Sequence, residues 1–172
     1  MDVFAYLAAL LMAAGAHTGG HMDLAHRMGM NPAYVDYRTM SERVPAWVSN
    51  PRTEQERRAA TTWHGAGFEG QDAFKQSIND PDDRDRYRLM SGLYKLGYSL
   101  LGPQGSYAGE GDVGSMKRIS GNKFVVPLLS VSALNDMYRG STGEKLAPWM
   151  PDEIDFSTFE QGAPGLKFTW EW

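Results

Sequence analysis

Near the start of the chain, Val3 to Met22 (VFAYLAALLMAAGAHTGGHM) holds twenty consecutive residues without a formal charge, followed at once by Asp23 and His26. Such a run has to be sheltered from water. As a helix it rises roughly 30 Å, about the thickness of a bilayer's hydrocarbon core. Its strictly apolar part, Val3 to Ala16, is fourteen residues, short for a span and suited to a buried helix or to the core of a signal peptide. Ala14-Gly15-Ala16 has the form of an A-x-A cleavage site, but Met1-Asp2 is acidic where a signal peptide is basic, so the segment is read as retained. The expectation is a helix over residues 1–22 that inserts into a membrane, anchors to one, or is buried in protein.

Three of the four histidines lie in or just after the end of this run. His17 and His21 are four apart, so a continuous helix puts both imidazoles on one face, where they can share a metal ion such as zinc. Asp23, His26, His64, or a carboxylate from a later glycine-rich stretch, Glu110 or Asp112, is the candidate third ligand. His26 is nine residues beyond His17, about half a turn out of phase, and needs a helix break to join; Gly19-Gly20 is the candidate break. The chain has no cysteine, which excludes a disulfide framework, a thiolate metal site and a cysteine nucleophile.

GAHTGGHMDLAHRMGM resembles the active-site helix of membrane-embedded zinc metallopeptidases of the site-2-protease type, in which an apolar helix carries H-E-x-x-H and a distant Gly-Asp supplies the third ligand. The resemblance covers about sixteen residues plus the dipeptide Gly111-Asp112. It implies His17, His21 and Asp112 as zinc ligands. It departs at the catalytic position, where Thr18 replaces the glutamate that takes a proton from zinc-bound water. An active copy would need another base, such as Glu110.

Further along, a helix with irregular flanks is expected within Ala33–Asn50. A capped helix is expected from Thr53-x-x-Glu56 to the glycines at 65 and 67, and a short amphipathic one over Gln71–Ile78. Asp82–Leu101 is the clearest helix, with Leu89, Leu93, Leu96 and Leu100 as its expected core stripe. Gly102–Gly121 holds six glycines and is read as a functional or mobile loop. It lacks the signatures of a P-loop or of GxGxxG. Phe124–Arg139 is a third strong helix, with Leu128, Val131, Leu134 and Tyr138 on one side, mostly buried and ended by Gly140. In the tail, Lys167–Trp172 alternates Phe168, Trp170 and Trp172 with polar residues, the pattern of a strand with one aromatic face.

The sequence therefore reads as a mostly α chain, a single helical domain over 1–172 with an apolar N-terminal helix, a glycine-rich loop and an extended C-terminal arm (141–172) carrying a short strand. Net charge is −4 with no basic block, which argues against a nucleic-acid partner. The functional expectation is a non-enzymatic membrane-inserting or assembly protein, resembling in overall character the small virion and ejection proteins of tailed phages. Its partners would be a membrane or neighbouring chains, including copies of itself, reached through the N-terminal helix and the aromatic tail. It would then reside at a membrane or within a virion. The alternative is a membrane-associated zinc hydrolase with His17 and His21 as ligands, Asp112 or His26 as the third, and Glu110 as the candidate base.

Overall fold

The computed structural model describes residues 2–29, 45–101 and 111–170. The fold is mostly helical, with an apolar N-terminal helix and a short two-stranded sheet at the C-terminal end. Helix α1 spans Val3–Arg27, started by the Asp2 carboxylate, which accepts from the backbone N–H groups of Phe4 and Ala5. After Pro45 comes the single turn α2, Ala46–Ser49; residues 33–44 of the expected second helix lie outside the described residues. Helix α3 is Glu54–Ser77, opened by the expected capping box between Thr53 and Glu56. Helices α4 (Pro81–Leu101), α5 (Asp112–Ser120) and α6 (Val125–Thr142) follow. Strand β1 (Glu153–Thr158), the turn α7 (Phe159–Gly162) and strand β2 (Ala163–Thr169) form an antiparallel hairpin, with Glu153 opposite Thr169 and Thr158 opposite Pro164.

Several boundaries differ from the sequence expectation, and glycine explains most of them. Gly19-Gly20 does not break α1, nor do the glycines at 65 and 67 end α3, which absorbs the separate helix expected at 71–78. Gly20 serves a helix crossing instead, opposite Gly70 of α3. A Cβ on Gly20 would collide with the Ala66 carbonyl, and one on Gly70 would lie 2.6 Å from the Ala16 carbonyl. Close approach therefore requires glycine at both positions, and packing offsets the helix propensity lost. Gly140 likewise sits inside α6, which ends at Gly143 with a left-handed φ of 71°. Within the expected glycine-rich loop, residues 112–120 form α5, while residues 102–110 lie outside the described residues.

Two apolar clusters are buried. One joins Phe68 of α3, Val113 and Met116 of α5, Val125 and Leu129 of α6, and Phe156 of β1. The other joins Leu24 and Ala25 of α1 to Val48 of α2 and Trp63 and Ala66 of α3. The leucine stripe of α4 is not the core it was expected to be: Leu93 and Leu100 are exposed, as are Val131 and Leu134 of α6. The inward face of α4 is Tyr87, Arg88, Ser91, Lys95 and Ser99.

That polar face is possible because charges from four elements satisfy one another. Lys75 of α3 reaches Asp155 (2.7 Å) and Glu153 (3.0 Å) of β1 and Asp136 of α6 (2.8 Å). Lys95 contacts Asp72, Asp136 (2.7 Å) and the Ser132 hydroxyl (3.1 Å). Arg88 pairs with Asp85 and Glu153. The free edge of β1 is also covered by α3, since the Phe156 N–H donates to Asp72 and the Thr158 N–H to Glu69. Burial raises the Asp72 carboxyl from its ordinary 3.8 to about 6, against the pull of Lys95 and Lys75 and with the repulsion of Asp155 and Asp136. Burial also pushes Asp136 upward, but Lys75 and Lys95 outweigh it and leave that carboxyl lowered.

Two outcomes are expected. Gly70→Ala should lower stability by about 1–3 kcal/mol through overpacking. Gly15→Ala, where an added Cβ meets nothing within 4 Å, should raise it by up to about 1 kcal/mol; urea denaturation of the pair checks this.

Lys95→Met should cost about 3–5 kcal/mol by stranding buried carboxylates. Arg27→Met, at an exposed ion pair with Asp23, should cost under about 1 kcal/mol. The folded state holds a proton on Asp72 that the unfolded chain releases between about pH 4 and 6. Relative to Asp72→Asn, the native chain should therefore gain stability as pH falls through that window. Denaturation midpoints of both proteins at pH 7.5 and 4.5 measure the effect.

Candidate metal centre

Helices α1, α3 and α5 meet at one carboxylate. Helix α1 contributes His17 and His21, one turn apart on its buried face, and α5 contributes Asp112 from its first turn. One oxygen of Asp112, Oδ2, lies 3.1 Å from His17 Nε2 and 3.4 Å from His21 Nε2. The donor atoms of the three residues all fall within 4.8 Å of one another. Ligands at zinc's usual bond lengths of 2.0–2.2 Å are separated by about 3.3–3.6 Å along a tetrahedron's edge. Both measured separations are close to that span.

Each imidazole is fixed by its walls. Gly67 of α3 leaves the niche for His17, because a Cβ there would run into the ring. Phe68 meets the same ring edge-on at 4.9 Å between centroids, and Tyr94 and Tyr98 of α4 lie 5.4 and 5.2 Å away. His21 lies between His17 and Trp63. The Nδ1 atoms of both histidines and Nε2 of His21 are buried and have no hydrogen-bond partner among the described residues. A buried polar atom left unpaired is costly, and a shared ion would satisfy Nε2 of His21.

Burial pushes the His17 imidazole down, and His21 adds to this against the hydrogen bond and charge of Asp112. The neutral ring that results is the form that binds metal. Burial pushes the Asp112 carboxyl up. The attraction of His21, together with the hydrogen bonds of His17 and His64, outweighs it and holds the carboxyl well below the usual range. Asp112 is therefore an anion in place, with the positive end of the α5 dipole behind it.

His17, His21 and Asp112 thus come together as candidate ligands. His26 does not join them: α1 continues unbroken past the glycines, so His26 stays half a turn away and exposed. Asp23 is exposed too and pairs with Arg27 at 3.0 Å. Glu110 lies outside the described residues. Thr18, at the position of the missing glutamate, donates its hydroxyl to the Ala14 carbonyl at 3.2 Å and is occupied within its own helix.

His64, one of the candidate third ligands, takes a different place, outside the cluster of three donors. In the longer helix its Nδ1 lies 2.9 Å from Asp112 Oδ1 and its Nε2 3.3 Å from the Val48 carbonyl of α2. The available signal was Trp63-His64 followed one turn later by Gly67-Phe68, a helical patch able to carry both a polar contact and a ring niche. No protein-family model, curated protein or solved structure matches this chain.

Proposed function

We propose that this protein binds a divalent metal ion, zinc being the ion its donors suit best, and sits against a lipid bilayer through α1. The metal reading rests on one observation: two buried imidazole nitrogens lie 3.1 and 3.4 Å from the same carboxylate oxygen. Two nitrogens and one oxygen, with no thiolate available, match the borderline character of zinc better than that of calcium or magnesium, which favour oxygen ligands. The ion would tie α1 to α5, and both to α3 through Asp112 and His64.

The membrane reading is supported by the outer side of α1. The helix is long and apolar enough to cross a bilayer. Its inner side, however, is seated on the protein: Ala9, Ala13, His17, His21, Leu24 and Ala25 are buried, and Gln71 donates to the Ala13 carbonyl at 3.0 Å. Val3, Phe4, Leu7 and Leu11 are at least half exposed. With its inner side held by the protein and an apolar outer side left free, α1 fits a position lying along a membrane surface better than one passing through it. This reading makes the centre a structural clasp in a non-enzymatic protein. A virion role, resembling that of tailed-phage ejection proteins, is one setting for such a helix.

One observation favours the hydrolytic alternative, akin to the site-2-protease type. The cluster supplies three protein donors, the number that leaves a coordination position for water in zinc enzymes. Against it, Thr18 is engaged with Ala14, and no second carboxylate stands with the three donors among the described residues.

Elemental analysis of the purified chain should give close to one zinc per molecule, lost in the His17→Ala/His21→Ala double variant; absence of metal from both would overturn the reading. Zinc-dependent cleavage of a peptide by the loaded chain, absent in the double variant, would move the assignment to the hydrolase. For the membrane, native protein should sediment with phosphatidylcholine vesicles and the Phe4→Ser/Leu7→Ser/Leu11→Ser variant should not. Equal recovery of the two in the supernatant would refute that half of the proposal.

A further inference from the structure

The two oxygens of Asp112 face different partners. Oδ2 is turned towards His17 and His21, while Oδ1 lies 2.9 Å from His64 Nδ1. A carboxylate only accepts, so the ring donates through its Nδ1–H. The Val48 carbonyl lies 3.3 Å from Nε2, at the other end of the imidazole. Among the described residues, His64 is the one side chain bonded to Oδ1. It is mostly buried, between Trp63 and the glycine that makes room for His17. One turn of α3 therefore sets both a candidate ligand ring, through Gly67, and the rotation of the shared carboxylate, through His64.

We propose that His64 is a positioning residue that makes Asp112 a one-oxygen ligand and thereby tunes the centre towards zinc. The inference rests on the metal reading above. With Oδ1 held by an N–H donor, Oδ2 alone is available to an ion shared with His17 and His21. That suits a small four-coordinate ion, which takes one oxygen from a carboxylate. An ion that prefers oxygen ligands and higher coordination, such as Mn²⁺, gains most from a carboxylate free to rotate and offer both oxygens. His64 would thus act on affinity and on the choice of ion, without touching the ion itself. Outer partners of this kind change metal affinity by about 10–100-fold when removed.

The test uses the full chain and measures Zn²⁺ and Mn²⁺ affinities by competition with a chromophoric chelator. His64→Phe keeps the ring's bulk without an N–H donor, and His64→Gln restores a donor. His64→Phe is expected to weaken Zn²⁺ binding about 10–100-fold and to narrow the Zn²⁺/Mn²⁺ affinity ratio, with His64→Gln recovering most of both. If His64→Phe lacks the native helical circular dichroism, His64→Ala takes its place as the donorless variant. Native protein that binds zinc, beside a donorless variant within about twofold in affinity and with the same ion ratio, would overturn this inference and leave the metal reading standing. Weaker zinc binding with an unchanged ratio and no recovery by Gln would reduce His64 to a packing role and overturn it as well. Native protein that takes up neither ion would remove the metal reading and this inference with it.

Discussion

The near-contact of α1 and α3 at Gly20 and Gly70 sets the geometry of everything around it. With no side chain at either position, backbone meets backbone, and the next turns of both helices are brought within reach. His17 and His21 then fall over Gly67 and beside Trp63, and the apolar side of Asp112's helix closes on Phe68. A larger residue at the crossing would separate the helices and spread the imidazoles from the carboxylate, because packed interiors do not deform smoothly. The small residues of α1 are thus the condition for its polar ones. Gly20, one of the pair that suggested a helix break in the sequence, is what allows the histidine face to be used.

A second constraint operates beneath the C-terminal hairpin. Lys75 and Lys95 are essentially inaccessible, and so is Asp136 between them. Replacing such a network with apolar residues of similar volume is often no loss in stability, so its value here is better sought in arrangement. Each lysine joins elements distant in sequence: α3 to α6 and β1 through Lys75, α4 to α3 and α6 through Lys95. Only one register of these helices and of the hairpin pairs every charge, so slippage would strand one in a dry interior. The carboxylates of Asp72 and Glu69 add to this by standing in for a third strand along β1.

Local features were legible in the sequence, and pairings between distant segments were not. The N-terminal helix, the capping box at Thr53, the clear helix ending at Leu101 and a strand near the C-terminal end all follow from periodicity or cap chemistry, although that strand is Ala163–Thr169 and Trp170 lies beyond it. The i, i+4 histidines and Asp112 were identifiable because ligand spacing on a helix is local, and Gly111-Asp112 carried a resemblance. The errors came where a tertiary partner decided. A leucine stripe on α4 reads as core only if charged residues are assumed to face water, and nothing in the run from Asp82 to Leu101 announces that Lys95 has carboxylates waiting on α3 and α6. Similarly, Gly65 and Gly67 read as a helix stop until α1 and the hairpin are seen packed against them.

The seating of α1 shows why a metal clasp would matter. The alkyl residues it buries are small, Ala9, Ala13 and Ala25, with Leu24 the one large exception. At about 0.8 kcal/mol per buried methylene-sized group, three alanine methyls and a leucine supply only a few kcal/mol. The ordering of a 25-residue helix opposes that gain. Its larger apolar side chains point outwards, Phe4, Leu7 and Leu11 among them, where they favour leaving the protein for a bilayer or another apolar partner. Two buried histidines lacking partners for several of their nitrogens make the seat costlier still. Apparent zinc-binding energies of about 10–16 kcal/mol in small folded sites exceed what those buried alkyl groups supply. If zinc fills the His17, His21 and Asp112 cluster, its occupancy would decide how firmly α1 is held, and with it which face of a largely apolar helix is available to a membrane.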